Sequence, residues 1–136
     1  MATTLTVKTK SHTEIVDITS QIKELIPADF SGGCLLFCQN TTAALTINEN
    51  ADPDVKTDML ADLERVVPWD NSRFRHLEGN SAAHLKSSLL GPNLQIPVVG
   101  GRLTLGTWQG LYLCEFDGPR SRKVVVQLLA EEGSGT

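Results

Sequence analysis

In the stretch HLEGNSAAHLK, His76 and His84 stand eight residues apart, with Glu78 and Asn80 between them. Imidazole titrates near neutral pH and ligates zinc-like ions through a neutral nitrogen. With Asn80 as N-cap of a helix over 81–90, His84 falls in the first full turn. There the backbone N–H groups and helix dipole favour anions, and hence a neutral imidazole. His76 lies in the loop feeding that helix and can fold back to the same end. Glu78 can orient one imidazole or act as a general base. A spacing of eight matches no standard zinc signature, so a pair of hydrogen-bonded structural histidines is the competing reading.

Two further stretches carry chemistry. In LGTWQG, Gly106 and Gly110 allow close approach by a ligand or another backbone. Thr107 and Gln109 supply hydrogen bonds, and Trp108 a flat apolar wall. A bulged strand with one packed tryptophan would look the same. In DGPRSRK, Arg120 and Arg122 can form a fork for phosphate or carboxylate, or simply flank a hairpin turn.

The elements that must position these residues follow from periodicity. TTLTVKTK and TEIVDIT alternate as strands, and Thr19 or Ser20 caps a short helix over SQIKELI. GGCLLFC and AALTINE read as strands joined by the bend QNTT. Asp52 before Pro53 marks the start of an amphipathic helix in which Val55, Met59, Leu63 and Val66 recur. After the loop WDNSRFRHLEGN comes the helix SAAHLKSSLL, closed by Gly91. LQIPVV and RLTL flank a Gly100-Gly101 turn, and WQGLYLCEF and KVVVQLLA flank DGPRSR. Strands outnumber helices without βαβ alternation, which predicts an α+β fold with a mixed or mostly antiparallel sheet and about three helices.

A chain of 136 residues is one domain, expected over 1–130 with a flexible tail over 131–136. The net charge of −4, with no run of Lys or Arg, excludes a nucleic-acid footprint. No stretch approaches a membrane span, and MATTLTVKTK lacks the apolar core of a signal peptide, so a cytoplasmic protein is expected. Cys34 and Cys38 are separated by about 13 Å along a strand, too far for a disulfide. Together with Cys114 they read as small buried hydrophobes.

In order, NTTAALTINENADPDV, RHLEGNSAAHLKSSLLGP and GRLTLGTWQGLYLCEFDGPR resemble the YjbQ-like family of small bacterial and archaeal proteins, from about Asn40 to Arg122. The resemblance implies a compact α+β homotrimer with weak thiamine-phosphate synthase activity, joining a pyrimidine diphosphate to a thiazole phosphate. It further implies a polar cluster at Thr41, Thr42, Glu49, Asn50, Asp52, His76, Glu78, Asn80, His84, Gly106, Thr107, Trp108, Gln109 and Arg120. Within it, His84, His76 and Glu78 are the catalytic candidates, and the threonines, Glu49, Asn80, the 106–109 loop and Arg120 hold a small phosphorylated or anionic metabolite. Where the family pattern has histidine before the Thr-Thr pair, this chain has Asn40. The implied divalent metal, zinc or magnesium, would therefore rest on His76 and His84 with Asn40 as a weak third ligand. A non-catalytic trimer that binds an anionic metabolite or a metal is the alternative.

Overall fold

The computed structural model describes residues 2–132. In chain order the elements are β1 (Ala2–Lys8), β2 (Glu14–Asp17), α1 (Thr19–Glu24), β3 (Gly32–Cys38), β4 (Ala43–Glu49) and α2 (Pro53–Val66). Then follow α3 (Ser81–Leu90), β5 (Asn93–Val99), β6 (Arg102–Leu103), β7 (Gln109–Glu115) and β8 (Ser121–Ala130). The strands form a five-stranded sheet, β1-β8-β3-β5-β6, and a three-stranded sheet, β2-β7-β4. Every strand pair is antiparallel, so the α+β class expected from the sequence holds. Among the described residues no helix is long and apolar enough to cross a membrane. Residues 133–136 of the expected tail lie outside the described residues.

Side-chain alternation along the strands builds a three-layer stack. Cys34, Leu36 and Cys38 of β3, with Val124 and Val126 of β8, point inward from the large sheet and meet Leu45, Leu111 and Leu113 of the small one. Ile18 and Ile22, at and within α1, fill the same core. The opposite face of the small sheet presents Ala44 and Cys114 to Ala83 of α3, with Leu60 and Leu63 of α2 packed at the margin. β7 is thus covered on both faces, which is why it reads as a run of apolar residues and not as an alternation. Each wholly buried leucine of this core, such as Leu36 or Leu113, contributes about 1.5–3 kcal/mol over an exposed one.

The termini of the elements follow local chemistry, with two exceptions. Asp52 caps α2 as expected, its carboxylate accepting from the Asp54 N–H at 2.9 Å, with Pro53 at the first helical position. The Gly100-Gly101 turn joins β5 to β6 with positive φ at both residues (56° and 78°), and a Cβ on Gly101 would lie 2.4 Å from the Ala28 carbonyl. At α1, by contrast, neither Thr19 nor Ser20 is the cap. Asp17 accepts from the Thr19 N–H and hydroxyl at 2.9 and 2.5 Å, and the Thr19 oxygen in turn accepts from the Leu111 N–H. Asn80 stands at the N-cap of α3 but makes no capping hydrogen bond with its side chain.

One topological expectation is corrected. WQGLYLCEF and KVVVQLLA are not hairpin partners: β7 lies in the small sheet, and β8 pairs with β1 and β3 in the large one. The segment 116–120 is a crossing between sheets, as is the bend at 39–42 between β3 and β4. A turn signature states that the chain reverses, not which sheet receives it. The two crossings lie side by side, joined by the Phe116 N–H to the Thr42 carbonyl at 3.2 Å and the Gln39 N–H to the Lys123 carbonyl at 3.1 Å.

Candidate functional site

Where both crossings leave their sheets, the backbone opens and a pocket of about 420 Å³ forms, within the range that encloses small ligands. Gln39, Asn40, Thr41 and Thr42 of the first crossing form one wall, and Arg120 and Arg122 beside the second form another. His76 and Glu78, from the loop before α3, close it together with Asn80 and His84 at the start of that helix.

The two histidines do meet. Their ring centroids are 5.4 Å apart with the planes at 78°, an edge-to-face arrangement. Glu78 comes within 4.0 Å of His76 Nε2, beyond hydrogen-bond reach, and its side chain is 70% exposed. In this arrangement it lines the pocket without holding either imidazole. Asn40 turns its side-chain oxygen toward the Cys38 thiol, 3.6 Å away. Among the described residues no set of three or more His, Cys, Asp or Glu side chains converges as a metal site. The pair of imidazoles therefore falls short of the three protein ligands typical of a catalytic zinc.

The two arginines divide the fork expected of them. Arg122 is buried and holds the fully buried Glu115, its Nε 2.8 Å from Oε1 and its Nη2 on Oε2. The same Nη2 donates to the Thr42 hydroxyl at 2.8 Å, and Thr9 donates to Glu115 at 2.7 Å. Burial by itself would raise the Glu115 carboxyl, but the hydrogen bonds from Arg122, Thr9 and the Asp117 N–H outweigh it and hold the group below the usual range. Arg120 is half-exposed. Its Nε donates to the Asp117 carbonyl at 2.7 Å and its Nη2 to the Asp117 carboxylate at 2.9 Å. That carboxylate also accepts from Asn80 Nδ2 at 2.8 Å and lies 3.7 Å from His12 Nε2.

Asp117, Glu115 and His12 were not singled out from the sequence. Glu115 did leave a signal, as an acid closing the apolar run LYLC. Asp117 and His12 sit in turn segments more than a hundred residues apart, and no local pattern joins them.

The rest of the expected cluster stands elsewhere. Ala43 pairs with Glu115 at the pocket end of β4 and β7, and Glu49 pairs with Gln109 at the other. Six residues of strand separate these ends by roughly 20 Å. There Gln109 Oε1 accepts from the Gly106 N–H at 2.8 Å, and Asn50 donates to the Trp108 and Gln109 carbonyls. Trp108 is 61% exposed. Within one chain Glu49, Gly106, Thr107, Trp108 and Gln109 thus form a second polar cluster, remote from the histidines. Asn50 belongs to it, while Asp52 is engaged in capping α2.

All three cysteines are free and buried, as expected. Burial pushes the Cys34 thiol up to about 11 and Cys114 to about 12, and it raises Cys38 also.

The model of the UPF0047 protein YjbQ-like family matches residues 3–131. The chain belongs to this family. YugU of Bacillus subtilis is 49% identical over 131 residues, covering 95% of this chain and 99% of that protein. MJ1081 of Methanocaldococcus jannaschii is 44% identical, covering 93% and 92%. Among solved structures, a YjbQ/UPF0047 family protein from Clostridium acetobutylicum is 45% identical with a TM-score of 0.88, covering 93% of this chain and 99% of that one. A conserved hypothetical protein from Thermus thermophilus has 44% identity and a TM-score of 0.89, with the same coverage. The fold is therefore the family's, and none of these relatives carries a described activity in its name.

Proposed function

We propose that the pocket binds a small phosphorylated metabolite, and that the chain carries the weak thiamine-phosphate synthase activity that its family resemblance implies. The observation that supports this reading is the meeting of His76 and His84 in a pocket that also holds Arg120 and the uncapped start of α3. In that reaction the methylene–oxygen bond of a pyrimidine diphosphate breaks, and its electron pair leaves with the diphosphate. The thiazole nitrogen's lone pair forms the new carbon–nitrogen bond. The protein's task is to neutralise the departing diphosphate and align the two reactants. Arg120 and the α3 backbone N–H groups meet the charge, and His84 or His76 delivers a proton to the leaving oxygen. Thr41 and Thr42 line the facing wall, with Thr42 fixed by Arg122.

The test is pyrophosphate release from the two thiamine precursors. Replacing both imidazoles, His76→Ala with His84→Ala, is expected to lower the rate by about 10²-fold or more, the scale of a lost general acid. A rate equal to that of the unsubstituted protein overturns the catalytic reading.

A second reading, a trimeric module that binds an anionic metabolite or a divalent ion without chemistry, draws support from Asn40. Its oxygen is engaged with Cys38, and two imidazoles stand without a third. Elemental analysis of protein purified without added metal separates the versions: about one zinc or magnesium per chain supports the metal-binding form, and none, with no effect of chelator, removes it. For the homotrimer, support comes from Leu129 and Val99, exposed at one end of the outer face of the large sheet, and from Phe37, exposed on the same face toward its other end. We read the compartment as the cytoplasm, because free cysteines accord with reducing conditions.

A further inference from the structure

We infer that Asn80 sets the ligand specificity of this pocket, its Oδ1 accepting a hydrogen bond from an amino or hydroxyl group of the bound phosphorylated molecule, and that Asp117 is the positioning residue that orients it. The inference rests on the phosphate-binding reading above and names what else the ligand must carry. An aspartate paired with Arg120 offers only acceptors, so the Asn80 atom 2.8 Å from it must be the amide nitrogen. The amide cannot flip without opposing oxygen to oxygen, and Oδ1 is therefore committed to the other side. Asn80 is 5% exposed, it lines the pocket, and this Oδ1 is buried with no hydrogen-bond partner among the described residues.

Two costs fall on this one side chain. A buried acceptor without a donor has lost its hydration and gained no hydrogen bond in return. An asparagine at an N-cap ordinarily accepts from a first-turn N–H, and here it does not. One ligand relieves both, if it places an anionic group at the free N–H groups of α3 and a donor on Oδ1. Terminal amide torsions are soft, so a small rotation brings Oδ1 to the pocket surface. Because Asp117 holds Arg120 as well as Asn80, a single carboxylate fixes the spacing between the anion contact and the donor contact. An aminopyrimidine diphosphate has both features; inorganic pyrophosphate has only the first.

Calorimetric titration with two ligands tests this: the aminopyrimidine methyl diphosphate and its analogue with hydrogen in place of the amine. The unsubstituted protein is expected to prefer the amino ligand by about tenfold, the scale of one neutral hydrogen bond. In Asn80→Ala the two affinities converge. In Asp117→Ala, which frees the amide to rotate, they converge as well, and this variant carries the test should Asn80→Ala fail to fold. A preference that survives either substitution overturns the inference. So does binding of both ligands by the unsubstituted protein without preference, which leaves the phosphate reading standing. Binding of neither ligand by the unsubstituted protein overturns the phosphate reading, and this inference with it.

Discussion

Replacing Arg122 by methionine isolates the buried pair behind the pocket. Glu115 is fully buried, and its carboxylate is compensated by Arg122, Thr9 and the Asp117 N–H. Removing the guanidinium while keeping the volume leaves a buried charge with two neutral donors, a change that costs roughly 3–5 kcal/mol. Against a total stability of about 5–15 kcal/mol, that lowers Tm by on the order of 10 °C for a domain of this size. The pH dependence carries the sign. In the intact chain the folded state holds the Glu115 carboxyl below its ordinary value of 4.5, so its contribution is present above that pH and fades as pH falls further. In Arg122→Met burial dominates, the carboxyl rises above its ordinary value, and the penalty grows with pH above about 4.5 and vanishes below. Thermal melts followed by circular dichroism at pH 7.5 and 4.5, at one fixed protein concentration, should show a Tm gap that narrows at the lower pH. A gap below about 2 °C at pH 7.5, or one that widens on acidification, refutes the reasoning. The double variant Glu115→Leu with Arg122→Met should recover much of the loss, since a well-packed apolar pair replaces a buried ionic one at little net cost.

The pair Lys86 and Glu64 should respond asymmetrically. Lys86 is 2% exposed with Nζ 2.9 Å from Glu64, whose own side chain is 51% exposed. Glu64→Ala strands a buried ammonium and should cost more than 2 kcal/mol in urea unfolding, while Lys86→Met, leaving an acid that water can reach, should cost under about 1 kcal/mol. Equal costs would contradict the burial difference. For the cysteines, burial and raised thiol pKa values mean that Ellman's reagent at pH 8 should label almost none in the native protein and all three after denaturation. Rapid native labelling of any one would show that its strand is open to solvent.

The sequence revealed what depends on neighbours along the chain. The Asp52-Pro53 start of α2, the Gly100-Gly101 turn, and Gly91 closing α3 each depend on a few consecutive residues, and the structure has each in place. The alternation in GGCLLFC correctly sent Cys34, Leu36 and Cys38 inward. The stripe Val55, Met59, Leu63 and Val66 on α2 is present but only partly covered, lining an open depression with Leu90. Periodicity marks an apolar face without saying what meets it.

What stayed hidden is the property that creates the site, namely which sheet receives each strand. Had β7 and β8 paired as a hairpin, Arg120 and Asp117 would sit on an ordinary turn with no facing wall. Because the chain instead changes sheets at 39–42 and again at 116–120, two stretches nearly eighty residues apart in sequence lie against each other. Glu115 with Arg122 and Thr42, and Asp117 with Asn80 and Arg120, are the ties that secure that junction. Asp117 ties the second crossing to Asn80 of α3, and Arg122 ties Glu115 at its edge to Thr42 of the first, so charge and hydrogen bonding stabilise the place where sheet pairing has ended. The same groups then form the pocket's walls. Changing the residues that hold the crossings together therefore changes the site's chemistry as well as its stability, which is why the Arg122 and Asp117 variants must be read by ligand discrimination and by melting together.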